Sequence, residues 1–128
     1  MNTPQELRYT SDHEWIRLEA DGEHAVVGIT DFAQSQLGDI VYVDLEPEGT
    51  QVEAGGVFGS VEAVKTVSEL FMPVSGEIVA TNDGLDGTPE IVNADPYGDG
   101  WMVRIKLDNP ADVDALMTAD AYSAFADS

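Results

Sequence analysis

Apolar and polar residues alternate along several short stretches of this chain, which is typical of half-buried β-strands. The clearest stretch is residues 101–107, where Trp101, Val103, Ile105 and Leu107 alternate with Met102, Arg104 and Lys106. We predict further strands at residues 9–19, 25–29 and 39–45, and two more within residues 57–79. An Asp21-Gly22 pair predicts a hairpin turn between the first two of these strands.

Short helices are predicted at two places. Thr30 or Asp31 can accept hydrogen bonds from the first N–H groups of a helix, and Gly38 can adopt the left-handed conformation that ends one. Near the end of the chain, Pro110 suits the first helical position of a segment that we expect to be helical over residues 110–126.

The predicted fold is mostly β, a small flattened barrel or sandwich with short peripheral and C-terminal helices. With 128 residues, the chain is expected to form one domain over residues 1–128. It has no cysteine, so any sulfur redox chemistry would come from an attached cofactor. Neither its start nor any later stretch reads as a targeting or membrane-spanning segment, and we expect a protein that is cytoplasmic or already mature.

The charge balance is strongly acidic. Asp and Glu number 25 against 5 Lys and Arg, which gives a formal charge of −20. Phosphate backbones would be repelled, so nucleic acid is an unsuitable partner and basic protein surfaces are favoured. Such self-repulsion suits a salty cytoplasm, in which case the melting temperature should rise between low and molar salt.

The rest of the chain is organised around residues 57–79, a predicted hairpin with Lys65 near its tip. The turn between Glu62 and Val67 contains none of the Gly, Asn or Asp that hairpin turns favour, and such breaks of local preference tend to mark function. Lysine is also scarce, because the chain has only Lys65 and Lys106. An exposed lysine there could receive a covalent group, although most loop lysines are simply solvated.

Candidate catalytic groups are few. His13 and His24 could pair at a metal with Asp12 or Glu14, but no helical spacing or third strong ligand supports it. Glu62 and Glu69 flank the hairpin tip and could act as acid and base, but paired carboxylates are expected by chance in so acidic a chain. The sequence therefore favours a carrier over an enzyme.

Several motifs resemble a known family. The stretches 49–65 and 73–79 (PVSGEIV) are similar to lipoyl and biotinyl carrier domains, in which the modified lysine lies at a hairpin tip. More narrowly, the chain resembles the H proteins of the glycine cleavage system over nearly its whole length. The matching motifs are YTSDHEW at 9–15, GITDFAQ at 28–34, LGDIV at 37–41, VEAVK at 61–65 and GW at 100–101.

This resemblance implies that Lys65 carries lipoate in amide linkage and that the protein itself catalyses nothing. The arm would take an aminomethyl group from glycine decarboxylase to a tetrahydrofolate-dependent aminomethyltransferase, and dihydrolipoamide dehydrogenase would reoxidise it. A further enzyme would attach the lipoate.

The resemblance also suggests a cleft that shelters the aminomethyl cation. It assigns Glu14 to hold this cation, with Glu69 and Asp12 as weaker candidates, although all three could be ordinary surface acids. Phe32 stands where some members have His, so it is expected to pack against the arm or the core.

Two related carriers and one unrelated class remain as alternatives. A biotin carrier would have methionines beside the lysine, where this chain has Val64 and Thr66. A lipoyl domain of a 2-oxoacid dehydrogenase would lack the opening at residues 13–15 and the C-terminal helix. An acidic interaction module without a cofactor would keep its function in a Lys65→Arg variant.

Overall fold

A computed structural model describes residues 3–127 and contains nine strands and several short helices in that range. The strands are β1 (Arg8–Tyr9), β2 (Glu14–Leu18), β3 (His24–Ile29), β4 (Ile40–Leu45), β5 (Gln51–Val52), β6 (Val57–Ala63), β7 (Val67–Phe71), β8 (Gly76–Thr81) and β9 (Val103–Leu107). The α-helices are α1 (Asp31–Leu37), α2 (Gly84–Gly87), α3 (Ile91–Ala94) and α4 (Ala119–Asp127), and Pro110–Ala115 is a 3₁₀ helix. None of the described helices is long and apolar enough to cross a membrane.

The strands form two antiparallel sheets. Six of them pair in the order β1-β2-β3-β9-β8-β5, and the other three pair in the order β4-β6-β7. The main core lies between the sheets and includes Phe58, Val61, Ile78 and Ile105, all fully buried. The prediction of a mostly β flattened sandwich is confirmed, although the described sheets do not close into a barrel.

The prediction of one strand over residues 9–19 is wrong, because β1 and β2 are two strands joined by a turn. The Thr10 hydroxyl accepts hydrogen bonds from the N–H groups of Asp12 and Glu14, at 3.3 Å each. His13 takes a left-handed backbone conformation, with φ of 64°. Side-chain bonding of this kind competes with strand pairing and turns the chain back on itself.

A second, smaller core covers the other face of β2. Trp15 is fully buried there with Tyr9 and Tyr122, whose rings stack with centroids 4.7 Å apart. The Trp15 indole N–H donates to the Pro96 carbonyl at 3.0 Å. Helix α4 thus packs on the hairpin formed by β1 and β2, and both faces of β2 are buried at its start.

The lysine hairpin is confirmed as β6 and β7, and its turn at residues 64–66 contains no glycine. The Ala63 N–H donates to the Thr66 carbonyl at 2.7 Å and closes the turn. The end of the 57–79 stretch, from Gly76, belongs to β8 in the other sheet.

Helix α1 is confirmed, and Thr30 rather than Asp31 caps it. The Thr30 hydroxyl accepts from the Ala33 N–H at 3.1 Å, and Gly38 ends the helix with φ of 80°. The segment predicted to be helical over residues 110–126 is two helices, the 3₁₀ helix 110–115 and α4, separated by residues 116–118, where Met117 pairs with Tyr9. Residues 84–87 and 91–94, which the sequence did not mark as helical, form α2 and α3.

Candidate functional site

Lys65 lies at the exposed tip of the β6–β7 hairpin. Its neighbour Val64 is 77% exposed. The tip contacts the connection between α1 and β4, because the Val64 N–H donates to the Asp39 carbonyl at 3.2 Å. A methyl group placed on Gly38 would lie 3.8 Å from Lys65 Cε, so the lysine side chain runs beside this glycine.

Glu14 is the most unusual carboxyl group of the described residues. Its side chain is 2% exposed at the start of β2. One oxygen, Oε2, accepts from the Phe71 N–H at 2.6 Å, whereas Oε1 has no hydrogen-bond partner within residues 3–127. The pKa of Glu14 is raised to about 8, mainly by burial. The hydrogen bond from Phe71 lowers this pKa, and the charge of Asp12 raises it further.

Helix α1 connects these two groups. Its N-terminal end adjoins the Glu14 turn, because the Thr30 N–H donates to the His13 carbonyl at 3.1 Å. Its C-terminal end is Gly38, beside Lys65. The helix has seven residues and therefore spans about 10 Å. Lys65 and Glu14 thus lie near the two ends of one short helix.

His13 is held in an aromatic environment next to Glu14. Its ring lies 4.6 Å from that of Phe32 and 5.7 Å from that of Phe125, between centroids. His13 Nδ1 is 2.8 Å from the Tyr122 hydroxyl, which in turn is 2.8 Å from the Thr30 hydroxyl. Burial lowers the pKa of His13, and the charge of Asp12 opposes this shift. Phe32 therefore packs on His13.

The two weaker carboxylate candidates are exposed, unlike Glu14. Asp12 lines a surface cavity of about 420 Å³ together with Met72 and Leu116, and Glu14 does not line it. Glu69 is exposed on β7, two positions before Phe71 and on the same side of the strand. Only Glu14 is buried.

The residues considered for catalysis are scattered. His24 Nδ1 is 2.6 Å from Asp21 Oδ2, away from the partners of His13. Glu62 pairs across the sheet with Val67, whereas Glu69 pairs with Ser60. Within residues 3–127, no group of three or more His, Cys, Asp or Glu side chains is arranged to hold a metal ion.

Comparison with known proteins decides the family. A family model described as "Glycine cleavage H-protein" matches residues 7–128. The chain belongs to the glycine cleavage H-protein family. The resemblance seen in the sequence is thereby confirmed.

Relatives of this family are similar over almost their full length. The glycine cleavage system H protein of Chlorobaculum tepidum is 64% identical over 124 residues, which cover 97% of each chain. That of Salinibacter ruber is 61% identical over 123 residues, which cover 96% of this chain and 98% of the relative. A crystal structure of a glycine cleavage system H protein from Mycobacterium marinum superposes with a TM-score of 0.87 at 39% identity, covering 95% of this chain and 97% of that one.

Two residues of this H-protein family member, Phe71 and Tyr122, form hydrogen bonds at the site that the sequence did not predict. The Phe71 N–H binds Glu14 through the backbone, and its residue type gives no signal for that. The Tyr122 hydroxyl bonds to His13 and Thr30 from a predicted helix, where periodicity indicated only packing. Both contacts join residues far apart in sequence.

Proposed function

We propose that this protein is the lipoyl-lysine carrier of a glycine cleavage system, with lipoate attached in amide linkage to Lys65. Two features support this assignment. Lys65 projects at an exposed tip with small or apolar neighbours, which an attaching enzyme can reach. The other lysine, Lys106, lies within β9 and pairs across the sheet with His24 and Glu77.

The residues present fit such a group. Gly38 leaves room beside the lysine side chain, and α1 leads from there toward a buried carboxyl group. When bound, the lipoyl disulfide supplies the sulfur chemistry that this cysteine-free chain lacks, accepting an aminomethyl group and later releasing it.

The observation that carries the proposal is Oε1 of Glu14, which has no hydrogen-bond partner among residues 3–127. A buried acceptor without a donor costs free energy, and an ammonium group can satisfy it. A cation beside Glu14 also favours the carboxylate, so binding would lower the raised pKa of Glu14 and release its proton. Glu14 would then hold the cation where water is excluded.

Other residues near Glu14 would contribute to such a site. Phe32, packed on His13, gives it an apolar wall near Glu14. Asp12 adds negative charge close to Glu14, and Glu69 offers a second, exposed carboxylate on β7. We assign these three residues supporting roles toward the arm or its cation.

The chain is a non-catalytic subunit, so its reactions depend on other enzymes. We propose glycine decarboxylase, aminomethyltransferase, dihydrolipoamide dehydrogenase and a lipoate-attaching enzyme as its partners. The formal charge of −20 favours basic docking surfaces on all of them. Tyr42, Val64 and Val67 are exposed around the tip and add apolar contact area there.

Intact mass after incubation with lipoate, ATP and a lipoate ligase tests the attachment site. The wild type and a Lys65→Arg variant are compared with a Lys106→Arg variant, which removes the only other lysine. We expect one lipoyl addition in the wild type and in Lys106→Arg, and none in Lys65→Arg. No addition to folded wild-type protein, with a control acceptor modified, would instead favour an interaction module without a cofactor.

A further inference from the structure

The tip that carries Lys65 rests on a neighbouring turn, residues 38–40, between α1 and β4. Two observations place it there. The Val64 N–H donates to the Asp39 carbonyl at 3.2 Å, and the Lys65 side chain passes Gly38. Val64 is 77% exposed, and the bond to Asp39 extends the pairing of β4 with β6, which ends at Ile40 and Ala63, onto the tip itself.

The Asn93 side chain of α3 holds this turn on both sides of Asp39. Its Nδ2 donates to the Gly38 carbonyl at 2.8 Å and to Gln34 Oε1 at 3.0 Å. Its Oδ1 accepts from the Ile40 N–H at 2.9 Å. The amide uses both donor hydrogens and an acceptor oxygen, so its orientation is fixed.

Asn93 is itself held in place by its helix. Val92 is fully buried in the main core. A methyl group on Gly100 would lie 3.0 Å from Val92 Cα and 3.1 Å from the Ile91 carbonyl oxygen, so the following loop packs closely on α3. Asn93 therefore projects from a rigid part of the structure.

We propose that Asn93 is a positioning residue for Lys65. It fixes the 38–40 turn, the turn fixes the Val64 backbone, and the tip is thereby presented to the lipoate-attaching enzyme in one conformation. A pre-ordered tip spares that enzyme the entropy cost of ordering a mobile loop. The proposal rests on the proposed lipoyl attachment at Lys65, and it adds a residue remote in sequence that controls the efficiency of attachment.

The test compares Asn93→Ala with a matched variant, Asn82→Ala. Asn82 also makes three hydrogen bonds, donating to the Asp99 and Trp101 carbonyls at 2.8 Å each and accepting from the Gly84 N–H at 3.2 Å. None of these bonds reaches residues 38–40 or 63–66. Both variants lose similar bonds, so a general loss of stability affects both.

Two quantities are measured at a temperature where both variants are folded: kcat/KM of a lipoate ligase for the chain, and hydrogen exchange of the Val64 amide. Loss of the Asn93 bonds leaves backbone groups of the turn unpaired, so we expect kcat/KM to fall about fivefold to tenfold in Asn93→Ala. The Val64 amide should exchange faster in the same variant. Asn82→Ala should change both quantities by less than about twofold.

Equal ligase efficiency and equal Val64 exchange in Asn93→Ala and the wild type would overturn the proposal, and so would equal losses in both alanine variants. If Asn93→Ala does not fold, Asn93→Asp replaces it, since a carboxylate can accept from Ile40 but cannot donate to Gly38. The same effects, only smaller, are then expected. If the wild type accepts no lipoate, the proposed function fails, and Val64 exchange alone decides whether Asn93 positions the tip.

Discussion

The two ends of helix α1 differ in almost every physical respect. At the Gly38 end, Lys65 lies on an exposed hairpin tip. At the Thr30 end, Glu14 is 2% exposed and is enclosed by the first hairpin, β7 and the residues around His13. A site that receives a covalent group has to be reachable by an enzyme, whereas a site that holds a labile cation has to exclude water.

The two ends of α1, about 10 Å apart, therefore contribute differently to stability. Exposed side chains at the tip contribute little to stability, so selection there can act on recognition. Glu14 lies at the buried start of β2, where the next residue, Trp15, is also fully buried, and a buried carboxyl group there lowers stability whenever it is ionised. This loss of stability occurs at the end of α1 where the proposed function requires a carboxylate.

The largest expected effect is the pH dependence that Glu14 gives to stability. Its pKa is raised from 4.5 to about 8 by burial, so between these values the folded chain binds a proton that the unfolded chain does not. Stability from this group is full below pH 4.5 and is lost as the pH rises toward 8. Relative to Glu14→Gln, the wild type should lose on the order of 4 kcal/mol of unfolding free energy across this window.

Urea unfolding of both proteins at a series of pH values measures this loss. Repulsion among the many other acids changes with pH in both chains and cancels in the difference. A difference between the two proteins that stayed flat, or that moved in favour of the wild type with rising pH, would show that Glu14 is not buried as described.

A smaller effect is expected from packing at the same end. A methyl group on Gly28 would lie 2.8 Å from Trp15 Cζ2 and 2.9 Å from its Nε1, and the indole is fully buried. We therefore expect Gly28→Ala to lower the unfolding free energy by about 1–3 kcal/mol. Val64→Ala, at the tip, should change it by less than about 0.5 kcal/mol. Similar losses of unfolding free energy in the two variants would show that the two ends of α1 do not differ in packing.

The exposed end of α1 could be predicted well from the sequence. The hairpin followed from its apolar pattern, and Lys65 stood out because the chain has only two lysines and the turn lacks the usual residues. Helix α1 followed from Thr30 and Gly38, which act through the local backbone. These signals are all local, and local signals are visible in a single sequence.

The buried end was less predictable because its contacts are not local. Glu14 was named through resemblance, but its enclosure depends on Phe71, 57 positions later in the chain. The turn before it was missed because a Thr10 side-chain bond replaced the alternation expected of a strand. Asn93 carried no signal, since an asparagine in a polar loop is ordinary.

We propose that Glu14 protects the cation carried by the arm. The most direct test is the rate at which the lipoylated protein, loaded with an aminomethyl group by glycine decarboxylase and then separated from it, releases ammonia. Wild type, Glu14→Gln and Glu77→Gln are compared, the last as a control because Glu77 is an exposed carboxylate on β8 with no proposed role. Because hydrogen bonds to charged groups are among the stronger ones, we expect release to be about tenfold or more faster in Glu14→Gln and nearly unchanged in Glu77→Gln. Equal rates in Glu14→Gln and the wild type would show that Glu14 does not protect the cation.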